Sequence, residues 1–574
     1  MSNYYSSDRS TQLVVALLKA HNISYVIASP GTTNIALVGS MQYDPFFKIY
    51  SAADERSAAY MACGLASSTG ESVVITCTEA TASRNYFPAL TEAYYRKLPV
   101  LVITGHHGEE NIGHLSAQTI DRSSYPNDTV RLSVSVNKIH TPTDEWKNVV
   151  SINRAILELN HRGGGPVHIN LEAGHYAGFY QKELPKVRKI CRIMPDDDFP
   201  VLPSGRIAIF IGSHRHFVES EINAIDNFCE CNNAVVFCDN TSGYRGRFRI
   251  NSALISAQQQ YSSELLSMDL LIHLGEVSGD TYTTEKLRPK CVWRVSPDGE
   301  LRDKFKRLTK VFEMDEETFF SYYQKETKGL CSYLKACKEE YNSIYTKIPE
   351  IGFSNIWIAK SLFSKLPEKS VINFSIFNSL RSWNFFQISN SIESCCNVGG
   401  FGIDGAVSTI IGSSLGRPNT LHFLVVGDLA FFYDLNSLGN RHIINNLRIL
   451  LVNNGRGIEF RKLDHPGSKF GEDADLFFAA AGHYGNKSSN LVRHYAEELG
   501  FNYMHASNKL DFEKCLETFV TPSLLEKPVV FEVFTQTDDE VKALDTIRNL
   551  KKDVKGFLKA TAKYTVNEVK DIIK

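Results

Sequence analysis

LHFLVVGDLAFFYDLNSL, residues 421–438, predicts a strand that runs directly into a helix, and this pattern decides the fold class. The run LHFLVV is apolar over nearly its whole length, which is typical of a strand buried on both faces of a parallel sheet. Gly427 and Asp428 follow where that strand ends. Ligands of open α/β sheets bind at the carboxyl ends of the strands, so the segment predicts both a parallel sheet and a polar site at its edge.

The same alternation of short apolar runs and helix-like stretches extends along the chain and predicts an α/β fold of three doubly wound parallel-sheet domains. The runs expected to form strands are YVIAS, KIYSA, VVITCT and PVLVITG in the first third, RIAIFIGS, AVVFCD, DLLIHLG and CVWRVS in the middle, and SVINFS, RILLVNNG and PVVFEVF in the last. We expect domains at residues 1–185, 186–350 and 351–574, since a proline-bearing stretch at 199–203 and Pro349 interrupt the pattern. The third domain ends in a lysine-rich extension with helical spacing.

Composition narrows the classes of function. A chain of 574 residues is too long for one hydrophobic core, and its 43% hydrophobic and 22% charged residues are typical of globular proteins. The net charge of -2 gives no long-range attraction for nucleic acid, and no apolar run approaches the roughly 20 residues of a membrane helix. The N-terminus lacks the pattern of a secretion signal, and the cysteines are scattered as reduced thiols usually are. We therefore expect a cytoplasmic protein with neither a nucleic-acid nor a membrane partner.

Asp428 and Asn454 predict a metal and diphosphate site. Asn454 follows the apolar run RILLV, 26 positions after Asp428, so both residues lie where neighbouring strands end. A carboxylate and an amide oxygen are ligands that a hard cation such as Mg2+ accepts, and Gly427 lets a phosphate approach the backbone. Gly-Asp alone is more often an ordinary turn whose aspartate caps a helix. Asn454 at the end of the neighbouring strand is the observation that favours a cofactor site.

Further motifs occur in a fixed order along the first and last thirds of the chain: SPGTTNIAL (29–37), DERSAAYMACGLA (54–66), NYFPALTEA (85–93), GPVHINLE (165–172), NSL (378–380), GIDGAVST (402–409) and GDLAFFYDLNSL (427–438). With them the chain resembles the thiamine diphosphate enzymes and, among these, the SEPHCHC synthase family of carboligases. That family has Gly-Asp-Gly where this sequence has Gly427, Asp428 and Leu429. The resemblance implies a pyrimidine-binding, a middle and a diphosphate-binding domain. It also implies a homodimer or homotetramer with the active site at a subunit interface.

The resemblance further implies which residues bind the cofactor and the metal. Asp428, Asn454 and the backbone carbonyl of Arg456 would bind Mg2+. The residues expected to contact thiamine diphosphate are Pro30, Gly31, Glu55, Ser379, Gly402, Ile403, Asp404, Gly427, Asp428, Leu429 and Asn454. Ile403 stands where the family has a bulky apolar residue beneath the bent cofactor, although core packing alone also accounts for an isoleucine there.

Glu55 is the expected activating carboxylate. Thiamine chemistry needs a carboxylate that hydrogen-bonds the aminopyrimidine ring of the cofactor. Glu55 follows the run KIYSA and opens an apolar helix, which puts it at the carboxyl end of a strand. A glutamate in the first turn of a helix more often only interacts with the helix dipole. The block DERSAAYMACGLA around it favours the catalytic role.

The substrate side of the site is predicted from the same resemblance. Gln118 matches a glutamine that faces the substrate, and His106 and His107 follow the run LVITG at the same rim, where histidine suits proton transfer near neutral pH. A loop histidine is more often a plain surface residue. Further substrate contacts are expected at Thr33, Arg381, Trp383, Val398 and Phe460.

Four arginines of the resembled family are absent from this sequence. Their positions hold Thr33, Trp383, Val398 and the segment His106-His107-Gly108. Guanidinium groups bind carboxylates through two parallel hydrogen bonds, and none of these replacements reproduces that geometry. We therefore expect a changed substrate pair, with Arg381, Arg456 or Lys286 as alternative ligands for a carboxylate.

The main functional hypothesis is a carboligase that decarboxylates a 2-oxo acid and transfers the resulting acyl anion equivalent to an acceptor. A non-ligating 2-oxo acid decarboxylase is the alternative, and the sequence alone does not separate the two. A catalytically silent relative that only binds the cofactor is a third hypothesis, against which the retention of Glu55, Asp428 and Asn454 argues. The middle third lacks the Gly-x-Gly-x-x-Gly loop that would support a bound flavin.

Overall fold

A computed structural model describes residues 4–122, 124–173, 178–325, 329–462, 465–483, 488–554 and 556–558. The strands are β1 (Tyr5–Ser6), β2 (Tyr25–Ala28), β3 (Lys48–Ser51), β4 (Val73–Cys77), β5 (Val100–His106), β6 (Leu132–Val136), β7 (Val167–Glu172), β8 (Phe179–Gln181), β9 (Cys191–Ile193), β10 (Ile207–Ile211), β11 (Val235–Cys238), β12 (Arg249–Asn251), β13 (Ser267–Leu274), β14 (Arg288–Val295), β15 (Leu308–Phe312), β16 (Val371–Phe374), β17 (Glu393–Cys396), β18 (His422–Gly427), β19 (Leu447–Asn453), β20 (Asn502–Ala506) and β21 (Val529–Phe534).

The α-helices are α1 (Arg9–Ala20), α2 (Ile35–Met41), α3 (Glu55–Thr69), α4 (Thr81–Asn85), α5 (Phe87–Tyr95), α6 (Pro142–Glu158), α7 (Glu219–Asn232), α8 (Ala253–Ser256), α9 (Thr281–Thr284), α10 (Glu316–Tyr322), α11 (Ser332–Tyr345), α12 (Asn355–Leu362), α13 (Asn378–Asn384), α14 (Ala406–Gly416), α15 (Asp428–Tyr433), α16 (Ala474–Phe477), α17 (Leu491–Glu498), α18 (Lys509–Phe519) and α19 (Thr537–Arg548). The last residues of the predicted C-terminal extension, 559–574, lie outside the described residues.

The chain forms two compact units. The first contains residues 1–198 and 299–313, and the second contains residues 199–298 and 314–574. The division into three domains at 185 and 350 stays a prediction. No helix among the described residues is long and apolar enough to cross a membrane.

The first unit contains a parallel sheet with strand order β3-β2-β4-β5-β7-β6. Successive side chains of a strand point to opposite faces, and Val26 and Ile27 of β2 accordingly enter different cores. One core is closed by α1, α2 and α6, and the other by α3 and α5. Helices therefore cover both faces of this sheet, which confirms the predicted doubly wound architecture.

The second unit contains two parallel arrangements of strands. In one, the strands follow the order β12-β11-β10-β13-β14, and in the other the order is β17-β16-β18-β19-β21-β20. The apolar runs quoted above all form strands, so the α/β fold class is confirmed. The chain leaves β16 toward β17 and then returns to β18 on the other side of β16. This reversal creates a crevice at the carboxyl ends of β16 and β18, where ligands of such sheets bind.

Candidate active site

A pocket of about 140 Å³ opens at the carboxyl ends of β16, β18 and β19 in the second unit. Its lining brings together eight residues that the sequence predicted for the site: Ser379, Ile403, Gly427, Asp428, Leu429, Asn454, Arg456 and Phe460. Asn355, Phe377, Asn378 and Glu459 also line it, and the sequence did not single these out. We call this space the diphosphate pocket.

Asp428 joins the ends of two neighbouring strands. Its carboxylate accepts a hydrogen bond from the backbone N–H of Leu429 at 2.8 Å and another from that of Gly455 at 2.5 Å. The side chain is buried, and burial raises its pKa to about 7 against the opposing effect of these backbone donors. None of the ion pairs formed by the described residues includes Asp428. A buried carboxylate without a cationic partner is suited to binding a metal ion.

Asn454 and Arg456 complete the donor set that Mg2+ would need. The side-chain oxygen of Asn454 accepts a hydrogen bond from the backbone N–H of Arg456 at 3.3 Å, and Gly455 between them has a φ of 79°. The Arg456 guanidinium binds Asp475 at 2.6 Å. The group that Arg456 would offer to a metal is therefore its backbone carbonyl. A carboxylate, an amide oxygen and a carbonyl are hard oxygen ligands, so these residues fit a Mg2+ ion.

The remaining coordination positions have to come from a ligand. Among the described residues, no group of three or more His, Cys, Asp or Glu side chains could hold a metal ion alone. A Cβ atom built on Gly427 would meet no protein atom within 4 Å, so open space borders this glycine. A diphosphate approaching that space would find the N-terminus of α15, where backbone N–H groups favour an anion.

The buried Glu540 positions two residues that line the diphosphate pocket. Glu540 accepts hydrogen bonds from the backbone N–H of Asn355 at 2.9 Å, from Thr535 Oγ1 at 2.8 Å and from Asn378 Nδ2 at 3.4 Å. It thereby fixes the starts of α12 and α13, and α13 carries Ser379. Glu540 lies 162 positions after Asn378, so no local pattern in the sequence could have identified the pair.

The GIDG loop before α14 is only partly in the pocket. Ile403 lines it and also packs against the core formed by α14, β18 and β19. Gly402 and Asp404 are not among the lining residues. A Cβ atom on Gly402 would lie 2.5 Å from Asp404 Oδ1, so the glycine allows the tight turn of this loop.

Arg381 is committed to carboxylates of the protein itself. Its guanidinium forms two hydrogen bonds with Glu459, at 2.7 and 3.4 Å, and its Nε lies 4.0 Å from Asp280 Oδ1. Lys462 Nζ binds the same Glu459 at 2.6 Å. Burial alone would raise the pKa of Glu459, but Arg381 and Lys462 reverse that effect and hold it at about 2.

Trp383 and Val398 are buried and do not line the diphosphate pocket. The Trp383 ring packs 5.3 Å from that of Phe374. Val398 packs where the chain around Gly279 approaches so closely that a Cβ atom on Gly279 would lie 2.5 Å from Val398 Cγ1. Both predicted substrate positions therefore serve packing in this structure. Lys286, a further candidate, donates to the backbone carbonyls of Gln258 and Tyr261.

The first unit has its own polar strand ends. Glu55 is the first residue of α3, which Asp54 caps, and Asn85 Nδ2 donates to Glu55 Oε2 at 3.2 Å. The Pro30-Gly31 turn follows β2, and a Cβ atom on Gly31 would lie 2.3 Å from Thr78 Cβ. Thr33 is buried and its hydroxyl lies 2.9 Å from that of Thr78.

His106, His107 and Gln118 lie in different environments. His106 ends β5 and is buried, and its Nδ1 accepts from the Gly108 N–H at 3.1 Å. Burial and the nearby Arg122 lower the pKa of His106 to about 4, so its ring is neutral at pH 7. Burial also lowers the pKa of His107, whose backbone N–H donates to Glu79. Gln118 is exposed, with a φ of 61°.

Arg122 is a residue that the sequence analysis missed. It is 3% exposed, and its Nη2 donates to the carbonyl oxygen of Gly105 at 2.8 Å, at the end of β5. Its Nε and Nη1 are buried and have no hydrogen-bond partner among the residues that the structure describes. The only local signal was its place four residues after Gln118.

Comparison with known proteins gives consistent matches. The model of the family "Thiamine pyrophosphate enzyme, N-terminal TPP binding domain" matches residues 9–125. A 2-succinyl-5-enolpyruvyl-6-hydroxy-3-cyclohexene-1-carboxylate synthase of Bacteroides fragilis is 32% identical over 560 residues, 94% of this chain and 98% of that protein. Synthases of the same name from Bacteroides thetaiotaomicron (32%, covering 94% of this chain and 98% of that protein) and Flavobacterium johnsoniae (30%, 92% and 96%) are also similar. The similarity thus extends through both compact units.

Proposed function

The chain belongs to the 2-succinyl-5-enolpyruvyl-6-hydroxy-3-cyclohexene-1-carboxylate synthase family of thiamine diphosphate enzymes, and from that premise we propose how its residues act. It is a carboligase that decarboxylates a 2-oxo acid and transfers the acyl anion equivalent to an acceptor. Thiamine diphosphate, when bound, supplies the ring carbon that attacks the 2-oxo group and the positive ring that accepts the electrons. The protein has to bind the cofactor, orient it and move its protons.

The diphosphate pocket would hold the phosphate end of the cofactor through Mg2+. Asp428, Asn454 and the backbone carbonyl of Arg456 would bind the ion, and the backbone N–H groups at the start of α15 would favour the negative charge of the diphosphate. The observation that carries this assignment is the buried carboxylate of Asp428, which within the described residues accepts hydrogen bonds from backbone N–H groups alone. A buried carboxylate needs a compensating charge, and a divalent ion supplies it.

Glu55 handles the proton at the other end of the cofactor. Asn85 Nδ2 donates to Glu55 Oε2 and would orient the carboxyl group, so that the other oxygen, Oε1, would exchange a proton with the aminopyrimidine ring. We assign the Glu55 and the diphosphate pocket of one active site to two different subunits, so the protein works as a homodimer or homotetramer. Gln118 and the neutral His106 and His107 remain candidates for contact with the small-molecule substrates.

The donor is a 2-oxo acid, and the acceptor distinguishes a carboligase from a simple decarboxylase. The product named for the relatives carries a succinyl group. The twelve free cysteines support a reducing, cytoplasmic location.

The first experiment measures carbon dioxide release from a panel of 2-oxo acids with thiamine diphosphate and Mg2+, beside a Glu55→Gln control. Release that the control lacks supports the proposed chemistry. Mass spectrometry of the products with and without aldehyde, ketone or alkene acceptors then separates ligation from plain decarboxylation. Failure of the protein to bind thiamine diphosphate in calorimetry would overturn the proposal.

A further inference from the structure

Four charged side chains form a cluster at the rim of the diphosphate pocket: Asp280, Arg381, Glu459 and Lys462. Of these, Glu459 lines the pocket, and Arg381 lies behind it on α13. The Glu459 side chain is 24% exposed, whereas that of Arg381 is 9% exposed. The carboxylate therefore stands between the guanidinium and the open space of the pocket. We call these four residues the rim cluster.

The protonation state of Glu459 limits its possible chemical role. Its pKa of about 2 keeps it ionised at any physiological pH. A carboxylate that holds no proton cannot act as a general acid, and one that acidic is a poor general base. Its two oxygens accept from Arg381 and Lys462, so its effect on a ligand is electrostatic.

The charges of the rim cluster cancel. Arg381 and Lys462 contribute two positive charges, and Glu459 and Asp280 contribute two carboxyl groups. Such a cluster presents no surplus positive charge to a second carboxylate.

The other cations near the pocket are also paired within the described part of the chain. The guanidinium groups of Arg456 and Arg461 both bind Asp475, at 2.6 and 3.5 Å. Trp383 and Val398 contribute buried apolar surface instead of charge. Among the described charged groups around this pocket, the rim cluster is thus the one that a substrate carboxylate entering the pocket would meet.

We propose that Glu459 determines donor specificity: by occupying Arg381 and placing its own negative charge at the rim, it selects 2-oxo acids with an uncharged side chain over those with a second carboxylate. The proposal rests on the proposed function. It also sets this chain apart from its relatives, because a succinyl group arises by loss of carbon dioxide from a 2-oxo acid with a second carboxylate. Glu459 acts here as a specificity-determining residue and takes no part in bond making.

The test compares kcat/KM for 2-oxobutyrate and for 2-oxoglutarate, as carbon dioxide release with the cofactor and Mg2+ present. We expect the wild-type protein to prefer 2-oxobutyrate at least tenfold. Glu459→Gln frees Arg381 while keeping the shape of the side chain, so the ratio should move at least tenfold toward 2-oxoglutarate, mostly through KM. The double variant Glu459→Gln with Arg381→Gln lacks the freed cation and should lose that gain.

Two further measurements keep the result decisive. Calorimetric binding of acetylphosphonate and succinylphosphonate, which resemble a 2-oxo monoacid and diacid, gives the same ratio without turnover. Glu459→Asp, which keeps the charge but shortens the reach to Arg381, should shift the ratio in the same direction by a smaller factor, and it stands in if the glutamine variant does not fold.

The outcomes separate the two proposals. No carbon dioxide from any 2-oxo acid counts against the proposed function, while the phosphonate ratio still reports on Glu459. A wild-type preference for the diacid, or an unchanged ratio in a folded Glu459→Gln protein, overturns the specificity proposal alone.

Discussion

At the scale of single residues, the site contains buried charged groups that differ in whether they have a partner of opposite charge. In the described part of the chain, the hydrogen-bond donors to Asp428 are all backbone N–H groups, whereas both terminal nitrogens of Arg381 donate to Glu459. The Asp428 carboxylate gains a cationic partner when a metal binds, whereas the Arg381 guanidinium already has an anionic partner. The two residues are therefore expected to respond to mutation in different ways.

Asp428→Asn should weaken Mg2+-dependent binding of thiamine diphosphate on the order of 100-fold, about 2.8 kcal/mol, because the amide keeps the shape but not the charge. Titration calorimetry with and without Mg2+ measures this loss. Asp545→Asn, which changes an exposed aspartate of α19, is the matched control and should bind the cofactor like the wild type. Equal affinities of the two variants would contradict the metal assignment.

Asp280 predicts a specific dependence of stability on pH. Burial raises its pKa to about 6, above its unfolded value, although Arg381 opposes the shift. The folded state therefore holds this proton more tightly than the unfolded state does, and the stabilisation is lost as pH rises from about 4 through 6. Two pKa units correspond to about 3 kcal/mol.

Asp280→Asn should remove that loss, because an amide does not titrate. Urea unfolding of both proteins at pH 4 and pH 7 provides the comparison. The free energy of unfolding of the variant, relative to wild type, should rise by about 3 kcal/mol between the two pH values. A relative free energy that stays constant would show that Asp280 is ionised when buried.

The residues of the site were predictable to different degrees. Asp428 and Asn454 follow apolar strand runs, and the carboxyl ends of adjacent parallel strands meet, so their position in one pocket could be predicted from the local sequence. The pairing of Arg381 with Glu459 joins positions 78 apart and depends on how α13 packs. No residue close to Arg381 in the sequence predicts its carboxylate partner, so Arg381 was expected to be available to a substrate.

At the scale of elements, the strand-to-helix turn at Gly427 is where backbone and cofactor are expected to meet. The turn joins β18 to α15 with an ordinary negative φ, so the glycine is not required by backbone conformation. Space beside it is open in the structure. What the glycine provides is room for a ligand.

Gly427→Ala should fold normally and yet bind thiamine diphosphate at least about tenfold more weakly, since its methyl group would occupy the space of the phosphate. Gly412→Ala, on the exposed face of α14, is the control. It should leave cofactor affinity unchanged and raise the unfolding free energy by about 0.5–1 kcal/mol, as alanine favours a helix. Thermal unfolding and calorimetry together measure both effects, and an unaffected affinity for Gly427→Ala would place the phosphate elsewhere.

The elements themselves were largely predictable, because parallel strands buried on both faces are apolar throughout and short. The apolar runs from YVIAS to PVVFEVF all became strands. Other strands were missed, among them the interior strand β7 and the short edge strands β9 and β12. The edge strands have three residues each, and their sequences, CRI and RIN, are too polar to stand out. An edge strand is held by its neighbour's hydrogen bonds more than by its own composition.

At the scale of the whole molecule, the proposal that two subunits share each active site has a direct test. Glu55→Gln and Asp428→Asn each impair every site of a homodimer. A heterodimer of the two variants has one site with both changes and one with neither, so it should regain about half the wild-type activity.

Co-expression with two different affinity tags isolates that heterodimer. Both parent homodimers should be nearly inactive in the carbon dioxide assay. If Glu55 and Asp428 of one chain served the same site, the heterodimer would be as inactive as its parents, and the shared-site proposal would fail. Sedimentation velocity on the purified protein distinguishes a dimer from a tetramer.

The contact between Gly279 and Val398 bears on how this protein could change in evolution. One methyl group on Gly279 would already lie 2.5 Å from Val398 Cγ1, and an arginine at 398 would need far more room. A mutant with that arginine would lose packing before it gained any new ligand contact. Selection acting on one mutation at a time would discard it, so a positively charged residue at this position is hard to gain unless the facing loop changes first.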